Sequence, residues 1–277
     1  MEMSGVWLAL VIGNTRLHWA AFHDEHWLGT WHTPHLQPAQ VTQLLAQGLS
    51  PRSWSSLTTD PLPRPWPQQS STSLWMAAVV EAQAHPWRAY GELHELSSQL
   101  VPSAPPSTQP VPLPGAYATL GVDRGLALVG AGQVYGWPVL VIDAGTALTF
   151  TAGADGRFVG GAILPGLTLQ MQALASGTAA LPGLSLPPRL PPRWAHSTAD
   201  AIHSGILYGQ LASLQAFIAD WQHCYPGSHL ILTGGDGKHL RQYLQQLQSP
   251  LASQLQWDAQ VIFWGIRACR QQAVTDY

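Results

Sequence analysis

Residues 8–20 read LALVIGNTRLHWA and residues 139–151 read VLVIDAGTALTFT, one local design written twice. Each copy is an apolar run of strand length, broken by a small turn of glycine and threonine, that resumes with alternating apolar residues. This repeat constrains the fold more than any other feature of the chain. Each copy supplies a strand, a tight turn and a returning strand, so a chain that restarts the pattern is built from two related units. Aligned on Gly13 and Gly145, the copies set Val11 against Asp143. If both turns handle phosphate, the first lacks a carboxylate that the second keeps.

The surrounding pattern predicts how each unit is completed. The first copy covers strands over Val6–Ile12 and Leu17–Phe22, then a polar connection and a helix near Gln40–Gln47. Two proline-rich stretches, DPLPRPWPQQ at 60–69 and VPSAPPSTQPVPLPG at 101–115, are barred from a central strand or helix interior because proline has no amide donor. The second of them reads as an extended connector. Between them, SLWMAAVV at 73–80 is a buried-strand candidate, and residues 121–131 are small and apolar enough for a packed helix.

The second copy predicts strands over Val139–Ile142, Leu148–Ala152 and Arg157–Ile163, with a turn at Ala154-Asp155-Gly156. Pro165 suits the first position of a helix running to about Ala175, and Ser197 with Asp200 suits the opening of a long helix. HLILTGGDGKHL reads as strand, glycine turn and helix, with Leu240, Tyr243, Leu244 and Leu247 inward, and a last helix spans about 261–273. The expected fold is α/β in two halves, 1–135 and 136–277, with a cleft between them and ligands at strand ends near helix N-termini.

Composition narrows the class of partner. Charged residues make up 10% of the chain and the net charge is −3, which argues against a nucleic-acid surface or attraction to anionic membranes and favours small molecules. No apolar run reaches the roughly 20 residues of a membrane span, and the start lacks a basic leader region. Cys224 and Cys269, far apart and outside any CxxC, read as free thiols of a cytoplasmic protein. Lys238 is the sole lysine, which excludes a P-loop. Histidine is abundant, and His18, His23, His26, His32 and His35 lie close in sequence. None forms a metal-ligand spacing, and they read as surface or packing residues.

Several residues have the chemistry of a phosphate-handling site. Gly13-Asn14-Thr15 and Gly145-Thr146 combine a glycine that admits close backbone approach with a hydroxyl that can bond phosphate oxygens; each alone is equally a plain hairpin turn, and only their repetition favours a ligand. Asp143 ends an apolar strand, where a carboxylate needs a cation or donors, or else caps its own backbone in an Asx turn. Gly121-Val122-Asp123-Arg124 sets a carboxylate and a guanidinium on diverging faces of a helix start: a base with an anion-binding arm, or an acidic cap with a surface arginine. Thr233-Gly234-Gly235 leaves free amides for a phosphate or an adenine, as many α/β turns do.

Taken in order, IGNTRLHWAAF, YATLGVDRGLALVGA, VLVIDAGTALTF, FVGGAILPGL with TAALP, STADAIHSGILYG and LILTGGDGKHL resemble the type III pantothenate kinases, members of the actin, hexokinase and heat-shock ATPase superfamily. The resemblance covers most of residues 6–240 and is poor over 24–110 and the tail. It implies two ribonuclease-H-like halves, a homodimer, and transfer of the ATP γ-phosphoryl to pantothenate, the first step of coenzyme A synthesis.

It further implies that Asp123 is the base, that Gly121, Val122, Asp123 and Arg124 line the substrate with Thr198, and that Tyr117 is the substrate-contacting tyrosine. That tyrosine stands nearer the Gly-Val-Asp-Arg motif here than is usual in the family. Gly13, Asn14, Thr15, Thr146, Gly234 and Gly235 would contact ATP, and Asp143 would bind a monovalent cation, potassium or ammonium. Magnesium would accompany the nucleotide, although Val11 replaces the first residue of the family's Asp-x-Gly-Asn-Thr. That replacement is the one feature favouring the alternative, a non-catalytic nucleotide-binding regulator of the same fold. A kinase acting on another small hydroxyl compound is the remaining reading.

Overall fold

The computed structural model describes residues 5–64, 72–98 and 108–275. Two compact units emerge, Met1–Gly130 with Ile262–Tyr277, and Ala131–Val261.

The first unit opens with β1 (Val6–Ile12), β2 (Leu17–His23) and β3 (His26–Thr33), an antiparallel meander. The helix α1 (Pro38–Ala46) follows. Then β4 (Ser73–Ala78) joins β1 in parallel, α2 (Glu81–Ala84) intervenes, and β5 (Leu93–Ser97) and β6 (Thr108–Pro110) extend the sheet to the order β3-β2-β1-β4-β5-β6. The helix α3 (Val122–Tyr135) comes next.

Every residue of β1 is buried, as its unbroken apolar run requires of a strand covered on both faces. The first unit's core is rich in tryptophan. Trp19 packs edge to face on Trp54 and Trp87, with ring centroids 4.6 and 5.2 Å apart, and stacks on Trp31 at 6.0 Å.

The second unit repeats this plan. β7 (Val139–Ala144), β8 (Ala147–Ala154) and β9 (Arg157–Pro165) form the meander, followed by α4 (Leu167–Gly177) and the long α5 (Thr198–Cys224). β10 (His229–Thr233) joins β7 in parallel, then come α6 (Gly237–Gln246), α7 (Leu251–Gln254) and β11 (Gln256–Trp257), giving the order β11-β10-β7-β8-β9. The chain closes with α8 (Val261–Thr275). In both sheets a three-strand meander is extended by parallel strands beside its first strand, the ribonuclease-H-like arrangement expected twice. Register bears out the alignment of the repeats as well: Val11 lies between His18 and Ala77, and Asp143 lies between Thr149 and Thr233.

Some expectations change. The polar connection after β2 is the strand β3, with His26 exposed, Thr30 and His32 half-buried and Thr33 buried, and it is held by its ladder with β2. The unanticipated β5 carries a buried Glu95, compensated by Arg88 at 2.6 Å. The end of the second proline-rich stretch is the edge strand β6, where Pro110 is tolerated because it is the last residue of an edge; the parts of the two stretches at 65–69 and 101–107 lie outside the described residues.

Pro165 is the last residue of β9, paired with Ala147, and Gly166 caps α4 in its place. Leu247 is 36% exposed because α6 ends one residue before it.

The expected halves also carried the last helix with the second, whereas residues 262–277 group with the first unit. Trp264 meets Phe22 and Trp27 edge to face, Arg270 lies over the Trp7 ring, and Arg270 and Gln271 both reach the Glu25 carboxylate. These contacts bind α8 to the β1–β3 meander.

Candidate active site

In the first unit, Gly13, Asn14 and Thr15 form the turn between β1 and β2. β1 is buried to its end, so the chain reverses at once, and the Gly13 amide closes the reversal on the Arg16 carbonyl at 3.1 Å. Asn14 and Thr15 are exposed at the tip. Val11, 5% exposed, brings no carboxylate to this turn.

The same unit carries the start of α3. Val122 is buried and anchors the first helical turn. The Asp123 Oδ1 accepts the Arg124 backbone amide at 2.8 Å and lies directly over Gly121, where any side chain would meet it. Burial raises the Asp123 carboxyl above its ordinary range, while that amide and the Arg124 charge pull it down. A carboxylate moved toward neutrality is a better proton acceptor near pH 7.

Arg124 is 7% exposed and turns elsewhere, donating from Nη1 to the Tyr117 hydroxyl at 3.0 Å. Tyr117, Gly121, Val122, Asp123 and Arg124 therefore stand together. The two charged side chains serve different partners, as adjacent positions on a helix require.

In the second unit the strand ends converge on Asp143. Gly234 has φ +88°, and a Cβ there would strike both the Asp143 carboxylate and the Ala144 backbone, so the Thr-Gly-Gly turn passes immediately over the end of β7. The Asp236 amide pins that turn to the Ala144 carbonyl at 2.8 Å. Burial raises the Asp236 carboxyl above its ordinary range, partly offset by His239.

Gly145 and Thr146 form the second turn, and the Gly166 amide donates to the Thr146 carbonyl at 2.9 Å. Thr146 and Gly235 are exposed. Asp143, Gly145, Thr146, Gly234 and Gly235 thus gather at the carboxyl ends of β7 and β10, where α/β sheets bind ligands. Thr198 is carried by a different element, exposed at the first residue of α5. The capping role belongs to Ser197, whose Oγ accepts the Asp200 amide at 3.1 Å. Among the described residues, no group of three or more His, Cys, Asp or Glu side chains converges as a metal cage would.

Sequence reasoning passed over Gly166 and Asp236. Gly166 admits no side chain because a Cβ would strike the Gly145 and Thr146 carbonyls. The placement of a lone glycine after a proline gives little signal for such a contact. Asp236, following the glycine pair and opening α6, could have been found as a helix-start residue.

The sequence profile of the type III pantothenate kinases matches residues 7–220. This chain belongs to the type III pantothenate kinase family. A type III pantothenate kinase of Synechococcus sp. (strain JA-2-3B'a(2-13)) is 44% identical over 271 residues, covering 96% of this chain and 89% of its own. One from Nostoc sp. is 41% identical over 270 residues, covering 94% and 93%.

Two solved structures share the fold. A conserved Campylobacter jejuni protein of the Baf family superposes with a TM-score of 0.59 at 18% identity, over 97% of this chain and 99% of its own. A Sinorhizobium meliloti protein described as a 2-dehydro-3-deoxygalactonokinase gives 0.53 at 15%, over 96% of each chain. Tyr117 to Arg124, Asp143, Thr146 and Thr198 all fall inside the stretch matched by the type III pantothenate kinase profile, and Gly234 and Gly235 lie beyond it.

Proposed function

We propose that this chain transfers the γ-phosphoryl group of ATP to the hydroxyl of pantothenate, opening coenzyme A synthesis. The observation that carries the reading is the half-buried Asp123 carboxylate, raised by its desolvation, beside an Arg124 held by Tyr117, in a chain of this family. Phosphoryl transfer is mainly positioning and charge stabilisation, with one group to orient and deprotonate the nucleophile.

Asp123 takes the proton of the pantothenate hydroxyl as its oxygen attacks phosphorus. Arg124 and Tyr117 hold the anionic substrate, Gly121 and Val122 line it, and Thr198 contributes a hydroxyl. Gly13, Asn14 and Thr15, with Thr146, Gly234 and Gly235, offer backbone amides and hydroxyls to ATP.

Asp143 binds a monovalent cation, potassium or ammonium. One carboxylate among neutral turn oxygens suits a singly charged, oxygen-liganded ion. Magnesium neutralises charge on the ATP phosphates and fits a site with few carboxylates, because it commonly keeps water and phosphate ligands. The halves 1–135 and 136–277 are proposed as the duplicated ancestral units, and the working form as a cytoplasmic homodimer. Cys224 and Cys269, both free thiols, agree with a reducing compartment.

A regulator that only sensed ATP would have no use for a proton acceptor, and nothing favours that reading beyond Val11. The test is ADP release with and without pantothenate, with the phosphorylated product identified by mass spectrometry. Pantothenate-dependent ADP release is expected. ATP binding without turnover under any cation condition overturns the proposal.

A further inference from the structure

Sequence alone gives His18, His32 and His35 surface or packing roles, yet the fold brings His18 and His35 to the Gly13–Thr15 turn and sets His32 against His18. His18 of β2 stands opposite Val11 of β1, and His32 of β3 stands opposite His18, so the row that starts at Val11 continues as two imidazoles. Their rings meet edge to face with centroids 4.8 Å apart, and the His32 amide donates to the Asp60 carboxylate at 2.8 Å.

The His18 ring lies against the turn, since a Cβ on Gly13 would stand 3.5 Å from its Nε2. In the second unit the corresponding neighbour of Gly145 is the Asp143 Oδ1, at 3.7 Å. Each turn therefore has a polar side chain of its own meander against its glycine, an imidazole in the first unit and a carboxylate in the second. His35, from the loop after β3, donates from Nε2 to the Gly13 carbonyl at 2.9 Å.

We propose that His18 and His35 are positioning residues for ATP, an imidazole brace that sets the first phosphate turn where the family's carboxylate is replaced by Val11. The inference rests on the kinase reading above. Its physical core is the planarity of the Gly13–Asn14 peptide. In a trans peptide the N–H points opposite to the C=O, so anchoring the Gly13 carbonyl on His35 aims the Asn14 amide the other way, as a donor for a phosphate oxygen.

His18 supports the turn without opposing the nucleotide's charge. Burial, with His32 and Arg16 nearby, holds it down to about 4. It is therefore neutral at pH 7, and, unlike a carboxylate against the same turn, it does not repel the phosphates.

The experiment measures the ATP dissociation constant by calorimetry, together with kcat and KM for ATP and for pantothenate. The proteins are the full chain, His35→Ala, His35→Gln and His18→Leu. One hydrogen bond is typically worth a factor of about three to ten in affinity. His35→Ala is expected to weaken ATP binding and raise the ATP KM by that factor, with the pantothenate KM unchanged. His35→Gln, which can donate to the same carbonyl, is expected to recover most of the loss, and His18→Leu to move ATP affinity in the same direction as His35→Ala.

Equal ATP affinity in wild type and His35→Ala, or parallel rises in both KM values without rescue by glutamine, overturns the brace. If His18→Leu fails to fold, His35→Ala and its glutamine rescue decide alone. A wild type that binds no ATP overturns the kinase reading itself, whereas a wild type that binds ATP no better than His35→Ala overturns only the brace.

Discussion

Burial lifts the Asp123 carboxyl while the Arg124 amide and charge restrain it, and this balance makes two measurable statements. The first concerns turnover. A base must be deprotonated, so kcat/KM should rise with pH through the folded-state value of Asp123. Asp123→Asn should remove most activity, about 10² to 10⁴ in rate, leave the pantothenate dissociation constant within a few fold, and flatten the acidic limb of the pH profile. Near-normal turnover in the variant would remove Asp123 from the role of base.

The second concerns stability. With the folded value above the unfolded one, the native state holds the proton more tightly, so stability is fully present below the unfolded value and is lost as pH rises through the folded value. Melting temperatures of wild type and Asp123→Asn, followed against pH, should diverge upward in the variant's favour. Convergence at high pH would mean that burial does not dominate at this carboxyl.

At the scale of elements, the two meanders differ most at the paired positions Val11 and Asp143. The last residue but one of β1 is the apolar, buried Val11, flanked by His18 and Ala77, and the last but one of β7 is the carboxylate Asp143, flanked by Thr149 and Thr233. A site short of one carboxylate holds magnesium through phosphate and water, so its affinity falls without vanishing. Val11→Asp is therefore expected to reach half-maximal activity at lower free magnesium than wild type.

The variant should also melt earlier without magnesium, since it buries a charge at a packed strand end. It should regain part of that loss as the ion binds the folded state. Activity and melting temperature against free magnesium give both readouts. Coincident curves would show that position 11 does not face the nucleotide's metal.

For the whole molecule, each unit has its own apolar core, one built on β1, β2 and β4 with the tryptophans Trp19, Trp31, Trp54 and Trp87, the other on β7, β8, α5 and α6. Aromatic pairs of this kind add about 0.5–1.5 kcal/mol each beyond their burial. A bound cation should act on global stability as well as on rate. Potassium at about 100 times its dissociation constant would stabilise the folded state by about 2.7 kcal/mol. Titrated into a Tris background, potassium is expected to raise both turnover and melting temperature, and Asp143→Asn to shift both responses to higher concentration. A response of neither quantity would remove the ion from Asp143.

The sequence by itself determined the elements whose signal is local. Apolar runs of strand length bounded by turn residues, mostly unbroken, marked β1, β2, β4 and β7 to β10, because both the run and the turn that ends it are read from neighbours in the chain. The repeat of a strand and a Gly-Thr turn was equally visible, and with it the two-sheet α/β plan and the family.

Tertiary structure decided what depends on residues far apart. β3 and β5 are strands because a partner ladder and the Arg88 ion pair support polar sequences there. Pro165 closes a strand because Ala147 pairs with it, and α8 groups with the first unit because Glu25, Phe22 and Trp7 meet it. The same holds for the histidines. His18 beside Val11 and His35 on the Gly13 carbonyl are products of strand register and of a loop's return, and a one-residue slip in register would turn His18 to the opposite face of the sheet.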